Sequence, residues 1–445
     1  MSLNVLSISV AVTLLMFPLT SAYTADAAVE SKAESKALPE PLTLDLALSL
    51  IDQQHPDLQY VDADLQSARS NLQRTLSNND LTISLRADAR WIEPSSLAPN
   101  QSNEDHRLGL YVNKTLYDFG RSSALEDVAS QQVLSKNLHY LNAQQQQYLT
   151  VMKRYFEVVL ADLQYYRYNE EMAVAYIQFD KIQTRQKLGQ FTEVDVAEKE
   201  VEYQRIRRLR SHSQNQQRVT RSLLAQALNR PNDLPATVSK PELDVVSRKL
   251  PEVEILQKLV HENSPVLGAL REKLAAARNN IQFAQATDNP VLTGGIEAFN
   301  YERETSSSNK WQANITLDIP LWSGDKVDAA VAKAKSTVYK IEAELAQQEL
   351  AIQQQVLELW LGIETLKIKH EEVTVGMDFT ELSLDKSRAL YELEVTSDLG
   401  YSMVRFSEAE RKVVETDFNI AFAWAQLDAL SGSLLNKSNE ISTNK

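Results

Sequence analysis

The sequence predicts a mainly α-helical protein with a small β part, arranged as two tandem repeats of helix, strand, strand, long helix and short helix. The first observation is the stretch Asp118–Gly189, which contains no Pro and has Gly only near its two ends. At 1.5 Å per residue this stretch would form one helix roughly 100 Å long. A similar stretch begins at Asp325, and two segments of alternating apolar and polar residues precede each long helix. Repetition at this scale identifies the architecture.

The helices of the first repeat (42–230) divide into one long and two short ones. Thr43 is expected to cap the first helical region, near Thr43–Asn78, and Pro56 can open a helix within it because the first turn tolerates Pro. After the long helix, apolar spacing predicts another short helix near Glu193–Arg230. The two short helices together match the long one in length. We therefore expect both to run antiparallel to the long helix, stacked end to end along it.

Four strands are predicted from period-two alternation. The first repeat has strict alternation at about 81–92 and weaker alternation, broken by Lys114, at about 107–117. In the second repeat the strands lie at about 291–301 and 311–321. Each strand therefore presents one polar and one apolar face.

The second repeat spans 252–432 and is separated from the first by a Pro-rich linker at 231–251. Its long helix carries apolar residues spaced alternately four and three apart, which is the seam of a coiled coil. The helix turns near Glu394–Ser397, and a last short helix ends at Ser431-Gly432. The polar segment 433–445 is expected to be flexible.

The N-terminus has the pattern of a secretory signal at 1–22, an apolar run followed by Thr20-Ser21-Ala22. Cleavage after Ala22 or after Ala27 both fit, and 23–41 is then a flexible segment. The signal lacks Lys and Arg, so an uncleaved anchor is the competing interpretation. No later stretch of the chain has 18 apolar residues in a row, so membrane contact would have to use strands.

Composition excludes several classes of protein. Hydrophobic residues make up 43% and charged residues 24%, as in an ordinary folded protein. The net charge of −14 disfavours binding to nucleic acid. There is no Cys, so disulfides and thiolate metal sites are excluded. The sequence contains none of the common catalytic motifs, and we expect no enzyme activity, no cofactor and no metal site.

The four strands cannot close a barrel alone, and an open sheet edge is not viable in lipid. If the apolar face meets lipid, several chains must pool their strands, and the polar face would line a water-filled lumen. The alternative is a small soluble sheet with one solvated face. The candidate lumen residues are Arg86, Asp88, Arg90, Gln312, Asn314 and Asp318. The candidate membrane-interface aromatics are Trp91, Tyr117, Phe119, Phe299, Tyr301, Trp311 and Trp322.

These features resemble the TolC-like outer-membrane efflux proteins across essentially the whole mature length. Each motif is weak alone, but their order, spacing and duplication are specific. The motifs are Leu42-Thr43-Leu44-Asp45-Leu46-Ala47-Leu48 with His55-Pro56-Asp57-Leu58, the junctions Leu116-Tyr117-Asp118-Phe119-Gly120 and Ile319-Pro320-Leu321-Trp322-Ser323-Gly324, the turn Arg185–Val196, and the segment Leu223–Asn229.

The resemblance implies a homotrimer in the cell outer membrane that extends into the periplasm. Its twelve pooled strands, four per chain, would form one transmembrane β-barrel, and its helices a long antiparallel coiled-coil barrel. The trimer would be the exit duct of a tripartite efflux pump or a type I secretion system. It would dock by its helical tips to a periplasmic adaptor, and through the adaptor to an inner-membrane pump or ABC exporter.

The two helical turns supply the candidate adaptor contacts: Gly189, Gln190, Phe191 and Thr192 in the first turn, and Val395, Thr396 and Ser397 in the second. Gly189 is also the residue that a left-handed turn requires, and both roles can hold. The second turn departs from the family pattern, with Glu394 where Gly is usual and Gly400 where Asp is usual. Glu394 and Asp398 are candidates for an acidic ring at the tunnel mouth, with solvated side chains as the alternative.

A different class of function remains open from the sequence, an exported soluble coiled-coil scaffold or assembly protein. Within the channel interpretation, drug efflux and protein secretion are not separable. Metal efflux is less favoured, because neither turn has a cluster of Met or His.

Overall fold

The computed structural model describes residues 38–304, 308–395 and 398–435. The predicted signal, its cleavage site and most of both flexible ends lie outside this range, as do Thr396 and Ser397. All elements described below belong to one compact unit, Glu40–Lys445.

The first repeat contains four helices and two strands in the predicted order. These are α1 (Leu44–Ser49), α2 (Pro56–Ser77), β1 (Thr82–Asp88), β2 (Arg107–Tyr117), α3 (Arg121–Lys187) and α4 (Glu193–Ala227). The hydroxyl of Thr43 accepts a hydrogen bond from the N–H of Leu46 and caps α1, and Pro56 is the first residue of α2. Both features confirm the sequence expectation for how these helices begin.

The second repeat has the same order of elements. These are α5 (Val253–Asn263), α6 (Pro265–Gln285), a 3-10 turn at Ala286–Asp288, β3 (Val291–Tyr301), β4 (Trp311–Asp318), α7 (Lys326–Glu392) and α8 (Leu399–Leu430). The long helices α3 and α7 are each 67 residues long. The prediction of a mainly α protein with two repeats and a small β part is confirmed.

In the first repeat, α2 packs along the first half of α3 and α4 along the second half. Lys136 on α3 forms an ion pair with Asp64 on α2, with 2.5 Å between Nζ and Oδ2. Farther along α3, Asp162 accepts hydrogen bonds from both Nη atoms of Arg221 on α4, at 2.7 and 2.9 Å. The predicted short–long–short arrangement is therefore present.

The second repeat repeats this packing around α7. On the first half of α7, Glu344 pairs with Lys273 of α6, with 2.9 Å between Nζ and Oε2. On its second half, His370 contacts Asp417 of α8, with 2.9 Å between Nδ1 and Oδ1. Apolar seam residues such as Ile363 are buried in a core shared with α5 and α8.

The two repeats join through α3, which also packs against α6 and α8. The rings of Phe156 on α3 and Phe418 on α8 stack with 4.1 Å between their centroids. Next to them the fully buried Tyr155 donates its hydroxyl to the carbonyl oxygens of Leu42 and Ser239. The linker is thus held against α3 by a buried hydrogen bond.

The four strands form one antiparallel sheet in the order β1-β2-β3-β4, with β1 and β4 at its edges. β1 is shorter than predicted. After Asp88, the N–H of Arg90 is accepted by the side chain of His106 rather than by a strand carbonyl. β4 ends at Asp318, two residues before Pro320, which has no N–H to donate.

Candidate functional site

The sheet separates polar from apolar side chains, as the alternation predicted. Residues paired across neighbouring strands point to the same face, so the register assigns each side chain to a face. The apolar face carries Ile83, Leu85, Ala87, Leu108, Leu110, Val112, Leu292, Ile296, Ala298, Trp311, Ala313, Ile315 and Leu317. Its polar exceptions within the strands are Lys114 and Asn300.

Five of the six candidate lumen residues share the other face. The register Arg86↔Gly109 and Asp88↔Arg107 continues through β3 to Gln312, Asn314 and Asp318. Polar contacts cross this face. Asp88 and Arg107 form an ion pair of 2.7 Å, and Gln312 donates to Glu297 at 2.6 Å.

Arg90, the sixth candidate, lies beyond the end of β1 and forms an ion pair with Asp105. It therefore belongs to the connection between β1 and β2 rather than to the sheet face. His106 and Asp105, at the far end of this connection, form hydrogen bonds with the backbone of Arg90. Arg90 therefore lies at the end of the sheet away from the helices.

Phe299 and Tyr301, which the sequence places among the membrane-interface candidates, lie on the opposite face of the sheet from Trp311. The register pairs Phe299 with Gly109 and Tyr301 with Arg107, on the polar face. Phe299 meets Tyr111 edge to face at 5.6 Å between centroids. This cluster forms between β2 and β3 only through the register of the two strands.

The other five aromatic candidates lie at the two ends of the sheet. Tyr117 and Phe119 are a T-shaped pair at 4.7 Å between centroids where β2 leads into α3, and Trp322 follows β4 before α7. Trp91 and Trp311 lie at the opposite end, beside the loops. All five are exposed in the single chain.

The apolar face has no cover in the single chain. Ile83 and Leu85 on the edge strand β1 are 65% and 68% exposed, and Ile315 on the other edge is 74% exposed. A soluble chain would bury such a continuous apolar surface. Two unpaired strand edges flank it.

In the first helical turn, the end of α3 and the start of α4 are both capped by hydrogen bonds. Gly189 has φ of +74°, its N–H donates to Gln186, and the N–H of Gln190 donates to Arg185. This is a Schellman motif, which needs a left-handed residue at the position of Gly189. No atom lies within 4 Å of a Cβ placed on Gly189, so the backbone angle rather than space requires glycine.

Thr192 then begins α4 with a capping box. Its hydroxyl accepts the N–H of Asp195, and the Asp195 carboxylate accepts the N–H of Thr192 at 2.8 Å. The bond from the backbone N–H of Thr192, together with the one from its hydroxyl, holds the pKa of Asp195 below its ordinary value. Gln190 and Thr192 are exposed, and Phe191 is partly buried.

The second turn, between α7 and α8, has the same backbone motif with a different residue. The N–H of Glu394 donates to Tyr391, and the N–H of Val395 donates to Leu390. Glu394 takes the left-handed conformation, with φ of +56°. Asp398 precedes α8, and within the described residues its side chain makes no capping hydrogen bond. Glu394, Val395 and Asp398 are all exposed.

Gly400, which stands where the family pattern has Asp, lets α8 approach α3 closely. A Cβ on Gly400 would lie 2.8 Å from Cγ2 of Val174.

Charged side chains also join α3 to α8. Glu408 on α8 contacts Arg167 on α3 at 3.2 Å and Arg411 on its own helix at 3.0 Å. Ser407 donates to Glu170 of α3 at 2.5 Å. Burial raises the pKa of Glu408, but the hydrogen bond from Arg411 and the nearby positive charges outweigh it and leave the pKa below its usual value.

Across the described ranges, none of the helices combines the length and apolar character needed to cross a bilayer. In the same part of the chain, no group of three or more His, Asp and Glu side chains is arranged to hold a metal ion.

Comparison with known proteins identifies the fold. Residues 256–393 match the sequence model of the outer membrane efflux protein family. No curated protein matches the chain in sequence.

Solved structures match nearly the whole chain. The outer membrane protein VceC of Vibrio cholerae has a TM-score of 0.70 at 15% identity, covering 88% of this chain and 96% of that one. The CmeC outer membrane channel of Campylobacter jejuni has a TM-score of 0.72 at 13% identity, with coverages of 88% and 86%. The MtrE outer membrane channel of Neisseria gonorrhoeae has a TM-score of 0.69 at 18% identity, with coverages of 88% and 89%. The resemblance found in the sequence is therefore confirmed, since the chain has the fold of the TolC-like outer membrane efflux proteins and matches their sequence within its second repeat.

Proposed function

We propose that three copies of this chain form an outer-membrane channel that is the exit duct of an efflux pump or a type I secretion system. The twelve pooled strands cross the outer membrane, and the helices extend into the periplasm. The helical turns dock to a periplasmic adaptor, which connects the duct to an inner-membrane pump or ABC exporter.

The observation that carries this proposal is the sheet. It has an exposed apolar face and two unpaired edge strands, β1 and β4. In lipid every backbone N–H and C=O must be paired, so such edges must be closed by other strands. Because the four strands alternate in direction, β4 of one copy can pair antiparallel with β1 of the next. Three copies then give an even-numbered, all-antiparallel barrel.

The direction of the channel follows from the connections. All four junctions between helix and strand lie at one end of the sheet, near Thr82, Tyr117, Val291 and Asp318. The loop 89–106 and the chain leaving β3 at Tyr301 lie at the other end. Long loops face outward in outer-membrane barrels, so the helical end faces the periplasm.

The two helical turns lie far from the sheet, at the ends of helices of 67 residues. Leu188 and Val194 beside the first turn are 70% and 76% exposed, and Leu393 beside the second is 73% exposed. Exposed apolar side chains at a rigid helical tip suit a protein partner, and we assign the adaptor to this surface. The acidic residues Glu394 and Asp398 are proposed to place negative charge at the mouth in three copies.

Disulfide crosslinking tests the shared barrel, and the absence of Cys makes the chain suited to it. Ser84 on β1 and three positions on β4, Gln312, Asn314 and Thr316, share the polar face. Variants that combine Ser84→Cys with Cys at each β4 position sample three registers. In outer membranes treated with a mild oxidant, at least one pair should give a covalent trimer on a non-reducing gel.

Single-Cys variants are the matched controls and should give no covalent trimer. If every double variant stays monomeric, the shared barrel is wrong. Cell fractionation distinguishes the channel from the alternative, an exported coiled-coil scaffold. Recovery of the protein as a soluble periplasmic monomer would favour the scaffold.

A further inference from the structure

The apolar face of the sheet contains a groove. It runs over β2, β3 and β4 with a cavity volume of about 610 Å³, within the range of small-molecule sites. Its walls include Leu81, Val112, Leu116, Ile296 and Ile315. Gly294 and Ala313 form its floor, where neighbouring positions of this face carry larger side chains.

Lys114 brings a positive charge into this groove. It pairs directly with Gly294 on β3, which in turn pairs with Ile315 on β4. Lys114 is the one charged strand residue on the apolar face, and its ammonium group forms no salt bridge within the described residues. A lipid-facing lysine is unfavourable unless it reaches the interface or meets an anion.

The position of Lys114 along β2 indicates which leaflet it meets. It lies three residues before Tyr117, where β2 ends and the chain turns toward α3. Gly294 lies three residues after Val291, where β3 begins. The cation is therefore near the helical end of the sheet, and its flexible stem can reach the headgroup level there. In the orientation proposed above, this is the phospholipid leaflet of the outer membrane.

We propose that this groove binds one phospholipid with an anionic headgroup. The acyl chain lies on the floor formed by Gly294 and Ala313, and the phosphate is paired with Lys114. The inference rests on the proposed channel, because it requires that the apolar face meets lipid. Basic residues at the membrane surface bind anionic lipid headgroups in the same way.

The experiment uses detergent-purified trimers incubated with phosphatidylglycerol or phosphatidylethanolamine of identical acyl chains, with native mass spectrometry as the readout. We expect phosphatidylglycerol to bind about fivefold more tightly, the worth of one lysine near a membrane surface. Lys114→Gln should abolish this preference. Gly294→Val should weaken binding of both lipids, because its methyl groups enter the groove beside Leu116, which lies 3.2 Å from a Cβ at this position.

Lys326→Gln is the matched control, since it removes an exposed charge at the same end of the sheet but outside the groove, and it should keep the preference. If Gly294→Val does not assemble, Ala313→Leu fills the same floor. Equal binding of the two lipids by the natural protein would overturn the inference, as would loss of preference in Lys326→Gln.

Lipid A, a phosphorylated glycolipid, is the third probe. Tighter binding of lipid A than of phosphatidylglycerol that is lost in Lys114→Gln would mean that the groove takes the glycolipid of the opposite leaflet, and it would contradict the assignment. A protein that is not a membrane trimer at all would instead refute the proposed channel, so the two failures are distinguishable.

Discussion

The two helical turns have the same backbone and different chemistry. Both are Schellman motifs with a left-handed residue after the long helix, Gly189 in one and Glu394 in the other. A residue with a Cβ is strained in that conformation, typically by about 1–2 kcal/mol, and glycine is not. The first turn is therefore relaxed and the second is strained.

The helices that follow the two turns differ in how their first turns are stabilised. Thr192 and Asp195 form a capping box at the start of α4, whereas Asp398 makes no capping bond in the described part of α8. α8 is instead held by contacts with α3, at Gly400 and through the charged cluster around Glu408. The first hairpin is thus stabilised locally and the second by its neighbour, so we expect the second to open more readily.

Gly189→Val should have the largest effect, about 3 kcal/mol of local destabilisation, because a β-branched residue is poorly tolerated at positive φ. Hydrogen exchange of residues 185–195 should accelerate strongly, and export should fall while trimers remain. Gly189→Asn is the control, since Asn tolerates the left-handed conformation. Unchanged export in Gly189→Val would argue against this turn as the adaptor contact.

Gly400→Ala should destabilise the contact between α8 and α3 by about 2 kcal/mol, the usual effect of overpacking. Its methyl group would lie 2.8 Å from Val174. Hydrogen exchange at the start of α8 should rise, and the paired change Val174→Ala should restore it. A failure of this rescue would show that α8 does not depend on the close contact.

Thr192→Ala should cost about 1 kcal/mol, because it removes the side-chain cap of α4. Exchange in the first turn of α4 should rise about fivefold. Thr192→Ser keeps a hydroxyl and should behave as the natural protein. Equal exchange in the Ala variant would mean that the capping box does not stabilise this turn.

Glu394→Gly should stabilise the second turn, by about 1 kcal/mol, because glycine is not strained in the left-handed conformation. Exchange of residues 390–395 should slow by about fivefold and approach that of the first turn. Leu393→Gly is the control at a negative φ and should destabilise the same turn. A faster rate in Glu394→Gly would show that Glu394 makes a compensating contact.

The charged cluster should give the smallest effect, below about 1 kcal/mol. The pKa of Glu408 is lowered in the folded protein, so its ion pairs contribute stability above the unfolded pKa. This contribution is lost as the pH falls through the folded pKa. The stability difference between the natural protein and Glu408→Gln in thermal unfolding should therefore shrink from pH 7 to pH 4. A difference independent of pH would exclude the carboxylate as its source.

Local sequence signals predicted most of the fold. Thr43, Pro56 and Gly189 mark where helices begin and end, and the strand alternation identified the two faces of the sheet. Strand ends were less predictable. β1 stops at Asp88 because the side chain of His106, 16 residues after Arg90, replaces a backbone acceptor.

Some residues of the candidate sites were likewise predictable from local sequence, and others were not. Sequence alone brought Arg86, Asp88, Gln312, Asn314 and Asp318 to one face, since parity along a strand is a local property. It did not assign Phe299 to this face, because the contact of Phe299 with Tyr111 forms only through the register of β2 and β3. Neither the groove beside Lys114 nor the contact between Gly400 and Val174 has a local signal, since each depends on residues from different elements.

The sequence by itself determined the two repeats, the long helices, the four two-faced strands and the turn at Gly189, because each follows from the spacing of residues within one segment. Only the tertiary structure decided that Gly400 lies against Val174 and that Gly294 leaves a groove beside Lys114. The physical reason is that these features depend on how closely separate helices and strands approach each other, and that distance is set by the packing of the whole fold.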